Sequence, residues 1–362
     1  MSQTQDFRIT FEQLAGIRTP ILNAPMTGIA TPELVAAVSE AGGLGVIPAS
    51  TLTPEEIHAF AEAVRAKTDR PFAVNLTVPD EDRPTDEAKF LGFCDAVSML
   101  LAELGLPDGT DGGWLDHYDM KGTRAPNFFE QFDAAMAVKP VALMSSFGGF
   151  REPEADQLAD RGIVNIGAAT TLREAKVLRA AGCQAIVVQG SEAGGPRLSF
   201  EDPEDAMVGL MALVPAAVKA TGLPIIAAGG IATPDQLRAL SQMGAAGAMI
   251  GTALLTTKES GATDVHRYYA ESGTACDTAM TRIYNGRLSR VVRNGLVEAL
   301  ADYEGLTAGF PAQWALMGPL HDKAQSLGRF DLTMLPLGQS AGRSAYRTVA
   351  ECLQKLSAFP QG

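Results

Sequence analysis

Along the first 255 residues, short runs of consecutive apolar residues alternate with longer amphipathic stretches, and a glycine often stands at the boundary. The runs at residues 21–26, 44–49, 72–78, 141–145, 162–168, 185–189, 223–228 and 246–250 are apolar along most of their length rather than alternating. Strands of that kind belong to a parallel sheet covered by helices, because neither face meets water. The stretches between them open with capping hydroxyls, often followed by proline or acid: Thr31-Pro32, Thr53-Pro54-Glu55-Glu56, Thr171-Leu172-Arg173-Glu174 and Thr233-Pro234-Asp235. A side-chain oxygen there accepts from the first free N–H groups, and proline has no N–H to lose. The phrases AGGLGV, ADRGIV, AAGCQAIV and MGAAGAMI each place glycine at a helix end just before a strand, a rough internal repeat. Eight such units between residues 20 and 255 predict an α/β fold, a (β/α)8 TIM barrel. A doubly wound sheet is the rival, but Pro25-Met26-Thr27-Gly28 stands where its G-x-G-x-x-G turn belongs.

Two regions break the pattern. Residues 86–139 show helical spacing over 90–104 and then a Gly/Asp-rich excursion from Asp108 to Phe132, which reads as an insertion at the barrel mouth, about 106–139. After residue 258 the spacing becomes helical and loop-rich, at 264–271, 290–304 and 344–356. The expected organisation is a barrel over 1–258 and a helical C-terminal segment, 259–362, packing back on it.

Composition narrows the partners. A formal charge of −13 without any basic run argues against nucleic acid and against an anionic membrane surface. No apolar stretch is long enough for a membrane span or a secretory leader. The four cysteines lie far apart with no C-x-x-C, so they read as buried thiols in a reducing cytoplasm rather than as a zinc site or disulfide framework. A small-molecule substrate and a monomer or homodimer are the expectation.

The candidate chemistry sits where strands end, since a barrel carries its functional groups there. The stretch 223–255 has two strands in succession that end in Gly229-Gly230 and Gly251-Thr252 beside helix starts, an arrangement that presents backbone donors and a hydroxyl to one phosphate. The other ends supply Asn23-Ala24-Pro25-Met26, Asn75, Ser145-Ser146, Gly167, Gln189-Gly190 and Glu192-Ala193-Gly194-Gly195. Amides, glycines and apolar atoms suit a flat uncharged ring with a phosphate tail better than a metal or an acid/base pair. The four histidines, His58, His117, His266 and His321, read as surface or packing residues.

Taken together, APMTG, AVNL, VVQGSEAGG, AAGGIA, MIGT, the Glu259-Ser260 pair, RVVRN at 290–294 and GQSAG at 338–342 resemble the nitronate monooxygenase (2-nitropropane dioxygenase) family. That family includes flavin-dependent enoyl-reductases and quinone reductases on the same barrel. The resemblance implies FMN at the barrel mouth, contacted by Ala24, Pro25, Met26, Asn75, Gln189, Gly194, Gly195, Gly229, Gly230, Gly251 and Thr252. FMN is expected rather than FAD, because one phosphate nest is visible and no fingerprint exists for an adenosine half. The resemblance also exposes a departure. The family's strand-six motif ends EAGGH and its histidine acts as base or acid, whereas this chain has Pro196, which cannot abstract a proton.

Three functions remain open at this point. The first is oxidation of alkyl nitronates or related anions with dioxygen, a nitronate being already a carbanion equivalent that needs no base. The second is NAD(P)H-dependent reduction of a quinone or an enoyl thioester, and the third is flavin binding without turnover. For the first, Arg197 and Ser199 are the candidate catalytic residues, with the Arg197 guanidinium expected to pair with a nitro or carboxylate group.

Overall fold

A computed structural model describes residues 11–13, 15–79, 86–104, 126–201, 206–343 and 345–357. The eight apolar runs form eight parallel strands. They are β1 Ile21–Asn23, β2 Gly45–Pro48, β3 Phe72–Thr77, β4 Ala142–Ser146, β5 Val164–Ala169 and β6 Ala185–Gln189, then, after a two-residue β7 at Gly195–Pro196, β8 Ile225–Ala228 and β9 Gly247–Ile250. Their order is β1-β9-β8-β6-β5-β4-β3-β2. The ring closes between β1 and β2 by one backbone bridge, Leu22 to Leu44, and by a side chain. Asn23 is wholly buried; its amide donates to Val46 O at 2.9 Å and its carbonyl accepts from Val46 N at 2.8 Å. A carboxamide thereby takes the place of a missing pair of ladder bonds.

Helices cover the outside, and the caps read from the sequence are present. Thr53, Thr171 and Thr233 each close a capping box with the residue three positions on. The outer core lies between strands and helices, while Leu22, Val46, Met144, Ile166, Val187 and Met249 pack within the barrel. The described helices include none long and apolar enough to cross a membrane.

Three expectations are corrected. The helix Phe128–Ala137, capped by Asn127, packs on β3 and the helix Pro54–Arg65, so it is a barrel helix rather than part of an insertion. Within the stretch read as an insertion, 105–125, including His117, lie outside the described residues. The C-terminal segment is not all helical, because Thr278–Thr281 (β10) and Ser289–Val292 (β11) form an antiparallel hairpin. The run Ser289-Arg290-Val291-Val292 carries two β-branched residues, which favours a strand. Finally, the thiols are not all buried: Cys183 and Cys352 are, Cys94 is half-buried and Cys276 is exposed.

The helix Glu87–Glu103 does stand apart from the barrel. Its Phe90, Phe93, Val97 and Leu101 share a separate core with Ile283, Val291, Leu296 and Leu316 of the C-terminal segment. The hairpin then docks on the barrel through β7, with Ser289 opposite Pro196 and Arg290 opposite Gly195. The segment is therefore a roof, hung over the carboxyl ends of the strands.

Candidate active site

Under that roof lies one cavity of about 290 Å³, and all eleven positions matched to the flavin site line it: Ala24, Pro25, Met26, Asn75, Gln189, Gly194, Gly195, Gly229, Gly230, Gly251 and Thr252. The two glycine turns are built for close approach. Gly229 and Gly230 have φ of 119° and 65°, which L-residues rarely adopt, and a Cβ on Gly229 would stand 2.9 Å from Ala193 N. Gln236 fixes this turn from the helix behind it, donating to Gly230 O at 2.7 Å and accepting from Ala232 N and Thr233 N. Across from it, Thr252 Oγ1 accepts from Gly338 N at 2.9 Å, so the roof's GQSAG stretch meets the end of β9. The chain beyond Thr252 is gathered by Arg267, whose guanidinium donates to the carbonyls of Leu255, Thr257, Ser260 and Ala262.

The opposite wall is made of amides and hydroxyls. Asn75, nearly buried, donates to Ser146 Oγ at 2.8 Å and accepts from Ser50 Oγ at 3.2 Å. After Ser146 comes Phe147 with φ of 63°, a conformation that a non-glycine residue retains only when its surroundings enforce it. Its ring carries the Arg287 guanidinium at 3.7 Å, and Phe310 lies on the same group at 5.4 Å.

Arg197 and Ser199 are not where the sequence reading put them to work. Both are buried and neither lines the cavity. The Arg197 guanidinium donates to Gln189 O at 3.1 Å, to Gln189 Oε1 at 3.0 Å and to Gly190 O. Arg290 does the same one residue on, donating to Ser191 O from Nε and Nη2. Parallel strands end in carbonyls without partners, and these two arginines satisfy three in a row at the end of β6. Burial, then the neighbouring Arg197, pulls the Arg290 pKa below its ordinary value. The substrate-handling roles foreseen for Arg197 and Ser199 do not agree with their places outside the cavity lining: Arg197 holds the loop that carries Gly194, Gly195 and Pro196, and Ser199 is buried.

Pro196 does line the cavity. Its carbonyl accepts from Gln189 Nε2 at 3.0 Å, and it sits on a sheet edge, where a residue without N–H costs nothing. Among the described residues, Arg287 is the one ionisable side chain lining the cavity; sequence reasoning missed it. Asn285-Gly286-Arg287 is a turn whose position over the barrel depends on a long-range contact, and no local pattern announces that. Two histidines belong to the roof and stay outside the cavity. His266, 3% exposed, contacts Pro336 O at 2.6 Å, and His321 Nδ1 accepts from Met334 N at 3.1 Å. Burial lowers the pKa of both.

The arrangement can hold a planar polar ring with a phosphate tail and can stabilise one negative charge. Among the described residues it offers no general base to a neutral carbon acid. No group of three or more His, Cys, Asp or Glu that could hold a metal ion is found among the described residues.

Known proteins resemble the chain throughout. A profile described as nitronate monooxygenase matches residues 9–358. A probable nitronate monooxygenase of Staphylococcus aureus (strain MRSA252) is 33% identical, over 91% of this chain and 90% of the relative. One of Staphylococcus haemolyticus (strain JCSC1435) is also 33% identical, over 95% and 94%. Among solved structures, a nitroalkane oxidase from Streptomyces ansochromogenes superposes with a TM-score of 0.84 at 28% identity, over 96% of both chains. FabK from Thermotoga maritima, 22% identical with a TM-score of 0.72, shares the fold.

Proposed function

Because the chain belongs to the nitronate monooxygenase family, we propose that it is an FMN-dependent oxidoreductase that oxidises preformed alkyl nitronates with dioxygen as acceptor. The observation that carries this reading is the make-up of the cavity: Pro196 lines it, where the resemblance leads one to expect a histidine, and Arg287 is the one ionisable lining group among the described residues. A cavity whose described lining holds no base suits a substrate that arrives as its anion.

The residues fit the cofactor. Gly229, Gly230 and Gly251 border the cavity together with the Thr252 hydroxyl, which has a hydrogen to donate to a phosphate while it accepts from Gly338. Asn75, Gln189 and the Gly194-Gly195 backbone border the space a ring would take. Bound FMN supplies two-electron oxidation and returns the electrons to dioxygen. The protein's share is placement: Asn75 and Ser146 fix one polar wall, the arginine-held loop carrying Pro196 fixes another, and the roof keeps water off.

Anaerobic mixing tests the proposal. Ethyl nitronate is expected to bleach the flavin, NAD(P)H is not, and the cofactor released on denaturation is expected to migrate as FMN. Bleaching by NAD(P)H alone would replace this reading with a quinone or enoyl-thioester reductase, and bleaching by neither would leave a flavin-binding protein without turnover.

A further inference from the structure

We propose that Asn285 selects the substrate of this cavity: its carboxamide Nδ2 donates to an oxygen of the reacting group, so the cavity takes planar groups with bare acceptor oxygens, nitronates above all. That the oxygen belongs to a substrate rests on the function proposed above; the donor on the cavity wall does not.

Asn285 stands in the turn between β10 and β11, is only 6% exposed, and lines the cavity. Its Oδ1 accepts from Arg287 N at 3.0 Å, and Ser289 Oγ lies 3.3 Å from the same oxygen. A backbone N–H can only donate, so the carboxamide cannot be turned over: its oxygen belongs to the turn and its NH2 points away from it. Among the described residues no acceptor meets that NH2, and what the side chain borders is the cavity. Buried side-chain donors are nearly always paired in folded proteins, so one left open on a cavity wall points to an acceptor on a ligand. The turn is held at its height by Gly286, where a Cβ would meet Ala308 O at 2.4 Å. Ser289, beside the amide, faces Pro196 across the β11–β7 pairing, so the donor comes down from the roof next to the wall where the resemblance leads one to expect a histidine. The positions matched to the flavin come from strand ends and from Gly194-Gly195, and a donor brought by the roof meets what lies over the ring. An amide cannot take a proton from carbon, but it can hold an oxygen that already carries the charge. In a mostly apolar concavity that hydrogen bond is stronger than it would be in water.

The test uses the FMN-loaded protein, with ethyl nitronate as substrate and freshly dissolved nitroethane, which carries the same pair of oxygens without the charge, as competitor. N285D keeps an oxygen for Arg287 N and Ser289 and replaces the NH2 by a second oxygen. Its KM for ethyl nitronate should rise about 10- to 100-fold and its Ki for nitroethane about 3- to 10-fold, with kcat changing less. Both constants within about twofold of the parent would overturn the proposal, because the turn alone would then explain the residue. A rise confined to the anion would sink it as well, being repulsion by the new carboxylate without a lost hydrogen bond. In the parent protein, butanone should compete with ethyl nitronate and 2-methyl-1-butene, its isostere without an oxygen, should not; equal competition refutes the donor in an arm that needs no variant to fold. If ethyl nitronate never reduces the flavin, the functional reading falls, while spectral titration of the parent and N285D with nitroethane still decides the role of Asn285.

Discussion

Thr252 Oγ1 and Gly338 N lie 2.9 Å apart, so the last barrel strand and the roof share one hydroxyl at the turn where a phosphate would sit. The hydroxyl accepts from the roof and has its proton left for a ligand. Thr252→Ala removes both links. FMN affinity, read by fluorescence quenching on reconstitution, is expected to fall about 10- to 100-fold, the range for a hydrogen bond to a charged group. Unchanged affinity would place the phosphate elsewhere.

Gly229 and Gly251 separate two ways of losing the cofactor. A side chain at Gly229 is strained by its φ of 119° and meets Ala193 backbone, whereas Gly251 has φ of −113° and its Cβ direction faces Ala24 and Met26 at ordinary contact distances. Gly229→Val should therefore lower both flavin content and melting temperature, and Gly251→Leu should empty the site with the melting temperature of the apoprotein nearly kept. Full occupancy in both would remove these turns from the site.

Pro196 sets a pH expectation. With preformed nitronate, kcat/KM should show no ionisation near the ordinary histidine pKa of about 6.5, since no histidine lines the cavity among the described residues. Pro196→His introduces an imidazole on a cavity wall and should bring turnover of neutral nitroalkanes with a rising limb near that pH. A limb in the parent protein would mean that another chain group acts as base.

Arg197→Met tests structure against recognition. Because its guanidinium satisfies buried carbonyls of Gln189 and Gly190, the substitution should cost about 2–4 kcal/mol of stability, seen as a lower melting temperature. The KM ratio between anionic and neutral substrates should not move; a selective loss of anions would restore Arg197 to the substrate.

The roof should loosen in acid. His266 and His321 have folded-state pKa values held down, chiefly by burial, so the unfolded chain binds protons first as the pH falls. Their contribution is complete above the unfolded value of about 6.5 and is lost as the pH falls below it towards the folded values. Protonated His321 Nδ1 can no longer accept from Met334 N, which lies in a residue lining the cavity. Melting temperature measured from pH 8 to 5 should fall in the parent and fall less in a His266→Gln, His321→Gln double variant.

The barrel was readable because its signals are local. Apolar runs, threonine caps and glycine stops each reflect a backbone preference within a few residues, and the cavity-lining positions ride on the strand ends those signals define. The strand Ser289–Val292 was misread because four residues, two polar then two apolar and all buried, are too short a run to show either period inside a helix-rich stretch. Arg197 was misplaced, and Arg287 missed as a cavity-lining residue, for a deeper reason. Position along the chain put Arg197 beside the strand-six motif, but which way a guanidinium turns depends on unsatisfied carbonyls there. The barrel mouth receives Arg287 from the turn between β10 and β11, 90 residues after Arg197.

The closure at Asn23 gives the barrel a preferred line of parting. Every other neighbouring pair of strands shares a ladder, while β1 and β2 hold by one bridge and one carboxamide. Amide hydrogen exchange should begin there, at Leu44 N and Val46 N, before it reaches β3 to β6. The strand that parts is also the one that carries Ala24, Pro25 and Met26 to the cavity, so a ligand resting on those three residues closes the seam from inside. The holoprotein would then exchange more slowly at a place no ligand touches, and the breathing of the barrel would report whether its mouth is filled.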